Sequence, residues 1–211
     1  MTVLDTSVPH YPVLMVLGGH EPVGEVPMAE GYSLRPYDPS YKLPWVELHV
    51  ELGQLPSVEE GLSYFERTYE SDPDALRERM LLACDERGEL AGTSSVWRGD
   101  HFGEPRLRVH WVGVSPRHQR RGLAKSLMLH TIRLYDELAA RGEAGGADGH
   151  APLYLTTQTE SYVAVSMYRK LGFTAYRGPM PPAFGACADT FAEDNERAWD
   201  IIDDKIAEMG R

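Results

Sequence analysis

The chain has 211 residues, 42% of them apolar and 25% charged, with a formal net charge of −11 at pH 7. That length fits one large domain with a single core, and the composition excludes a disordered chain. An acidic surface disfavours nucleic acid and anionic membranes, no apolar run approaches the ~20 residues of a membrane span, and the first residues lack a signal-peptide pattern, so a cytoplasmic chain is expected.

Residues 1–30, rich in Pro and Gly, read as an N-terminal extension with one strand near Pro12–Leu17. A domain over 31–178 opens with the alternating strand Gly31–Arg35, then a helix over 40–53 with Trp45, Leu48 and Leu52 on one face. Ser57-Val58-Glu59-Glu60 is a capping box ahead of Leu62, Phe65 and Tyr69 at helical spacing. Asp72-Pro73 starts another short helix. Met80–Cys84 and Leu90–Trp97 form a hairpin turning at Gly88, followed by a polar loop and a strand over Leu107–Val114.

A helix runs from Gly122 to about Arg141, where Gly142 stops it, and Glu143–His150 reads as a mobile Gly/Ala-rich loop. The strand Leu153–Thr157 is followed by a helix from Tyr162 and a last strand near Ala175. The connection between residues 114 and 153, with the helix after Gly122, makes a crossover, which is right-handed by rule. Residues 179–211 comprise a Pro-rich segment and an acidic helix with Phe191, Ala198, Trp199, Ile202, Ile206 and Met209 as its apolar residues. That helix either packs on its own core or makes a homodimer contact. The two cysteines, Cys84 and Cys187, are too few for a disulfide framework and lack metal-ligand spacing. Cys84 reads as a buried thiol, and no metal is expected.

The chemistry concentrates at residues 109–125, V-H-W-V-G-V-S-P-R-H-Q-R-R-G-L-A-K, a β-branched strand turning through Pro116 into a helix start. The first N–H groups of a helix lack intrahelical partners and bear about half a positive charge, so such a junction suits a phosphate. Gln119-Arg120-Arg121-Gly122-Leu123-Ala124 fits [QR]-x-x-G-x-[GA], with Lys125 adding charge. One strand–helix unit later comes Tyr168-Arg169-Lys170-Leu171-Gly172-Phe173.

In this order the two strings resemble the GNAT superfamily of acyl-CoA-dependent N-acyltransferases. The resemblance covers roughly residues 31–178 and implies an α/β (α+β) fold, with a mixed central sheet flanked by helices. The N-terminal strand region and the C-terminal helix are additions to it. It implies that pantetheine pairs with Val112, Gly113 and Val114, and that the pyrophosphate meets the N–H groups from Gln119 and Arg120 through Arg121, Gly122, Leu123 and Ala124 to Lys125. Tyr168 matches the family tyrosine that protonates the departing CoA thiolate. A phenol remains protonated at pH 7. Where the family often has Asn against CoA, this chain has Ser161, whose hydroxyl offers fewer groups.

The general base is less well marked. Thr156 and Arg108 stand where protein-acetylating members carry Glu, which counts against protein acceptors. His110 matches the strand histidine of the arylalkylamine acetyltransferases. It reads equally as a proton relay or as a strand histidine satisfied by a backbone carbonyl. Because side chains alternate, His110 and Val112 should share a face unless a bulge intervenes. Trp97, His101, Glu104 and Trp111 are further pocket residues. The expectation is acetyl transfer from acetyl-CoA to the primary amine of a small molecule by direct attack. The alternative is a GNAT-fold acyl-CoA sensor without turnover. Nucleotide binding by another loop is disfavoured, since no G-x-x-x-x-G-K-[ST] occurs and no G-x-G-x-x-G follows a strand.

Overall fold

A computed structural model describes residues 4–147 and 149–210. The first three residues of the expected extension, Asp148 of the expected loop and the C-terminal Arg211 lie outside the described residues. The strands are β1 (Pro12–Leu17), β2 (Tyr32–Arg35), β3 (Met80–Asp85), β4 (Leu90–Gly99), β5 (Arg106–Val114), β6 (Leu153–Gln158) and β7 (Phe173–Ala175). The helices are α1 (Lys42–Glu51), α2 (Val58–Thr68), α3 (Pro73–Arg79), α4 (Leu123–Ala140), α5 (Tyr162–Lys170) and α6 (Phe191–Met209). The strands form a mixed sheet in the order β2-β3-β4-β5-β6-β1-β7, with helices flanking it. No helix among the described residues is long and apolar enough to cross a membrane.

The chain divides into two compact units, the first made of Val23–Val96 and His110–Leu134, the second of Leu4–Pro22, Trp97–Val109 and the residues from Tyr135 onward. In the first unit β3 runs antiparallel to β2 on one edge and to β4 on the other. The Asp85–Glu89 turn closes at Gly88, whose φ of 80° falls where glycine is unstrained. Ser57 caps α2 by accepting from Glu60 N–H at 3.2 Å, and Asp72 caps α3 by accepting from Ala75 N–H at 3.1 Å. Trp45 of α1 meets Phe65 and Tyr69 at centroid distances of 5.1 and 5.6 Å, and all three are fully buried. Leu123 and Leu127 of α4 pack with Ala83, Ala91 and Val114. Burying these aromatic and aliphatic groups holds the strand end from which the next loop departs.

In the second unit the strand read at 12–17 pairs on both edges. It runs antiparallel to β6 from Pro12↔Gln158 to Leu17↔Leu153, and antiparallel to β7 from Met15↔Ala175 to Leu17↔Phe173. Its run of apolar residues suits a strand covered on both faces, and Val13, Leu14, Met15 and Leu17 are buried. β5 pairs with β6 in parallel at Arg108↔Tyr154 and Val109↔Leu155. The final strand is only three residues long, and Pro179, Pro181 and Pro182 in the segment after it have no N–H to donate to a ladder.

The segment after Gly142, expected to be mobile, is instead tied down. Leu107 N–H donates to the buried Ala144 carbonyl at 2.9 Å and Gly145 bridges Arg106. Sequence composition signals loop character but not the strand edge that satisfies its backbone. Helix α6 packs on α5 and β1, burying Phe191, Ala198, Trp199 and Ile202. Ile206 is only half-buried, and Met209 is exposed.

Candidate active site

The junction after β5 forms as a strand–turn–helix. A short 3₁₀ turn over Pro116–His118 leads to the loop, and Ser126 N–H makes the first α4 bond to the Gly122 carbonyl at 3.0 Å. Arg120 and Gly122 both adopt left-handed φ, 60° and 78°. A loop of alternating hand turns successive N–H groups toward one concavity. A Cβ on Gly122 would meet nothing within 4 Å, so the space beside it is open. The first turn of α4 carries no acidic residue, while Arg120, Arg121 and Lys125 are exposed around it. His118 Nδ1 and the Tyr32 hydroxyl lie 2.9 Å apart, and Arg121 Nη1 donates to the same hydroxyl at 3.4 Å. These residues fit a polyanionic pyrophosphate in charge, backbone geometry and free space.

Just before the loop, β5 loses its regular alternation. Trp111 has φ 51°, a strained value for an aromatic residue. Leu107 and Val109 are buried and Arg108 is not, but His110 is buried beside Val109. The expected shared face of His110 and Val112 therefore does not follow from alternation, because the left-handed residue between them resets the pleat. Ser115 N–H donates to the Ala91 carbonyl on β4 at 2.9 Å, which turns the polar groups of Ser115 and Gly113 toward β4. Those of Val112 and Val114 face the opposite edge. There the Val112 carbonyl accepts from Gln54 Nε2 at 3.4 Å and the Val114 carbonyl from Gln119 Nε2 at 3.1 Å.

Both ring nitrogens of His110 have a phenol at hydrogen-bond distance. Its Nε2 lies 3.1 Å from the Tyr64 hydroxyl and its Nδ1 lies 2.9 Å from that of Tyr69. Trp111 Nε1–H donates to Tyr64 at 2.8 Å, which leaves the Tyr64 proton for His110 Nε2. In the neutral tautomer with its hydrogen on Nδ1, the ring donates to Tyr69. Tyr69 reaches Ser95 Oγ at 3.3 Å, and Ser95 donates to the His110 carbonyl at 2.8 Å. Protonating His110 requires only that the Tyr64 hydroxyl turn, since a phenol oxygen can accept from both Trp111 and Nε2–H. Both charge states of the ring are hydrogen-bonded in this setting.

A second histidine in the same unit carries no obvious sequence signal. His49 is fully buried, with ring centroids 4.2 Å from Trp45 and 4.9 Å from Trp111. Its Nδ1 lies 2.5 Å from Gln54 Oε1, and its buried Nε2 has no hydrogen-bond partner. Burial pushes its pKa down to about 4, against the opposing bond to Gln54, so the ring is neutral. A Cβ on Gly113 would lie 2.8 Å from Leu52 Cδ1 and 3.0 Å from His49 Cε1. The space that a side chain at Gly113 would need is thus taken by residues of the first unit. The i, i+4 spacing from Trp45 was the available clue to the buried position of His49.

The second unit holds the remaining residues singled out by sequence. Tyr168 on α5 is only 4% exposed, and burial pushes its phenol well above the usual range. Ser161, at the start of α5, is also buried. His101 Nδ1 lies 3.0 Å from the Tyr154 hydroxyl, whose pKa burial raises to about 12. Burial and the nearby Arg108 lower the pKa of His101. Glu104 pairs with Arg106, and Trp97 is buried. No group of three or more His, Cys, Asp or Glu among the described residues could hold a metal ion. His110, Trp111, Val112–Val114 and Gln119–Lys125 therefore share one unit, while Tyr168, Ser161, Trp97, His101 and Glu104 belong to the other.

A mixed sheet with a left-handed, cationic loop ahead of the helix that follows β5 is an α/β scaffold with a candidate anion site. Residues 45–173 match the model of the Acetyltransferase (GNAT) family, and the chain belongs to that family. Mycothiol acetyltransferase of Pseudarthrobacter chlorophenolicus is 31% identical over 162 residues, covering 72% of this chain and 45% of that protein. The mycothiol acetyltransferase of Mycobacterium avium is 36% identical over 93 residues, 44% of this chain and 28% of that protein. The chain thus spans less than half the length of these relatives. A GCN5-related N-acetyltransferase from Sphaerobacter thermophilus superposes with a TM-score of 0.57 at 21% identity, covering 79% of this chain and 48% of that one. That likeness shows the fold alone.

Proposed function

We propose that this protein transfers an acetyl group from acetyl-CoA to the primary amine of a small molecule by direct attack. The observation that carries the reading is the loop after β5, with left-handed Arg120 and Gly122, open space at Gly122 and exposed cations at the mouth of α4. Its N–H groups from Gln119 to Lys125 hold the pyrophosphate, and the outward edge of β5 at Val112 and Val114 pairs with pantetheine. Ser161 adds a hydroxyl contact to CoA. His110 takes a proton from the acceptor ammonium, and Tyr64 and Tyr69 stabilise the ring in either charge state. Tyr168 returns a proton to the departing thiolate. A neutral phenol suits that step, because burial raises its pKa and the proton is therefore present on the ring when the thiolate departs. The relatives named as mycothiol acetyltransferases support a small-molecule acceptor.

The test is release of free CoA from acetyl-CoA across a panel of amines. Turnover with small primary amines is expected. CoA binding without turnover on any amine would overturn the enzymatic reading in favour of a sensor, and absence of CoA binding would overturn both.

A further inference from the structure

Resting on that cofactor reading, we infer that Gln54 is a placeholder. Its carboxamide occupies the strand-edge carbonyl that an amide of the pantetheine arm takes on binding, and His49 holds it there.

The edge of β5 that faces away from β4 presents two carbonyls, of Val112 and Val114, and a side-chain carboxamide covers each. A carboxamide N–H is the same donor that an added strand, or the secondary amides of pantetheine, would bring to these oxygens. Gln54 comes from the turn after α1, outside the helix, and is half-buried, so it can leave without unfolding an element. The two bonds to Gln54 differ in quality. His49 Nδ1–H donates at 2.5 Å, whereas Gln54 reaches Val112 at 3.4 Å, near the limit for a hydrogen bond. The longer bond is the one that must break.

The orphaned Nε2 of His49 adds a second argument. A buried acceptor without a partner is unfavourable, and an apolar side chain in the Trp45–Trp111 box would avoid the loss. What the imidazole supplies that an apolar group cannot is the Nδ1–H bond to Gln54. The exchange conserves hydrogen bonds at Val112, since one amide donor replaces another, and it releases Gln54 to the space beyond the strand edge.

The experiment measures CoA affinity by calorimetry for the full chain, its Gln54→Leu variant and its His49→Leu variant. Removing an occupant that must be displaced makes CoA bind tighter, by roughly two- to tenfold for one net hydrogen bond, and His49→Leu shifts affinity the same way. Nitrogen-15 NMR of labelled histidine gives a readout apart from affinity. The His49 Nδ1 signal moves when CoA saturates the wild-type protein. Weaker CoA binding in Gln54→Leu would make Gln54 a cofactor ligand and overturn the inference, as would unchanged affinity or an unmoved His49 signal in the saturated complex. Wild-type protein that binds no CoA would instead overturn the cofactor reading beneath it.

Discussion

The loop after β5 and the helix α5 carry the two strings that first marked the chain, and they are built in opposite ways. The loop is exposed and cationic, its backbone set by two left-handed residues beside open space. Tyr168 on α5 is buried, and its phenol is held neutral by that burial. A binding surface can be preformed at little cost when its donors are backbone N–H groups that would be unsatisfied anyway. Burial acts the other way at a phenol, because desolvation disfavours the phenolate and keeps the proton in place. The difference teaches that local backbone sets the first region and packing sets the second.

The largest expected effect tests the second region. Tyr168→Phe keeps the ring and removes the proton donor, so kcat should fall by ~10²–10⁴-fold with CoA affinity nearly unchanged. Steady-state kinetics with calorimetry check it, and a kcat within about threefold of wild type would remove Tyr168 from proton transfer.

The next effect concerns burial of a titratable group on the first unit. His49 has a folded pKa of about 4 against 6.5 when free, so below pH 6.5 the unfolded chain binds a proton that the folded chain refuses. Stability is therefore complete above pH 6.5 and falls as pH drops toward 4, by about 2 kcal/mol between pH 7 and 5 from this group. Urea melts at the two pH values should show that loss, and His49→Leu should flatten it. An equal acid slope in both proteins would refute this account of the box.

A change to the exposed loop follows in size. Gly122→Asp places a carboxylate and a Cβ at a left-handed position in the anion site. CoA affinity should fall by at least about tenfold, or about 1.4 kcal/mol, while the fold persists. Calorimetry on the folded variant checks it, and unchanged affinity would separate the loop from the cosubstrate.

The smallest effect probes the link between His110 and its phenols. Tyr69→Phe removes one partner of the ring, and kcat/KM should fall by roughly threefold to tenfold, with the limb of its pH profile shifted for the same amine. A profile identical to wild type would make the Tyr69 bond structural only.

Much of the fold was legible because its cues are local. The capping box at Ser57, the Asp72-Pro73 start, the Gly88 turn and the loop at Gly122 each depend on a few adjacent residues and a backbone preference. The motif residues of the candidate site were legible for the same reason. The two phenols bonded to His110 and the pairing of His49 with Gln54 were not, since hydroxyl, imidazole and carboxamide partners lie on different elements. Phe65 and Tyr69 read as one helix face, which revealed that Tyr69 is buried but not what its hydroxyl meets.

By itself the sequence determined the order of elements, the strand–loop–helix junction and the residue types available to it, because period, capping and turn chemistry act over short separations. Only the tertiary structure decided that Pro12–Leu17 is paired on both edges, that Ala144 and Gly145 are tied to β5 and that Trp111 resets the pleat after His110. It also decided that carboxamides cover the outward carbonyls of β5. Backbone and side-chain polar groups must find partners wherever the packed chain brings them, and that choice depends on long-range contacts that no local pattern encodes.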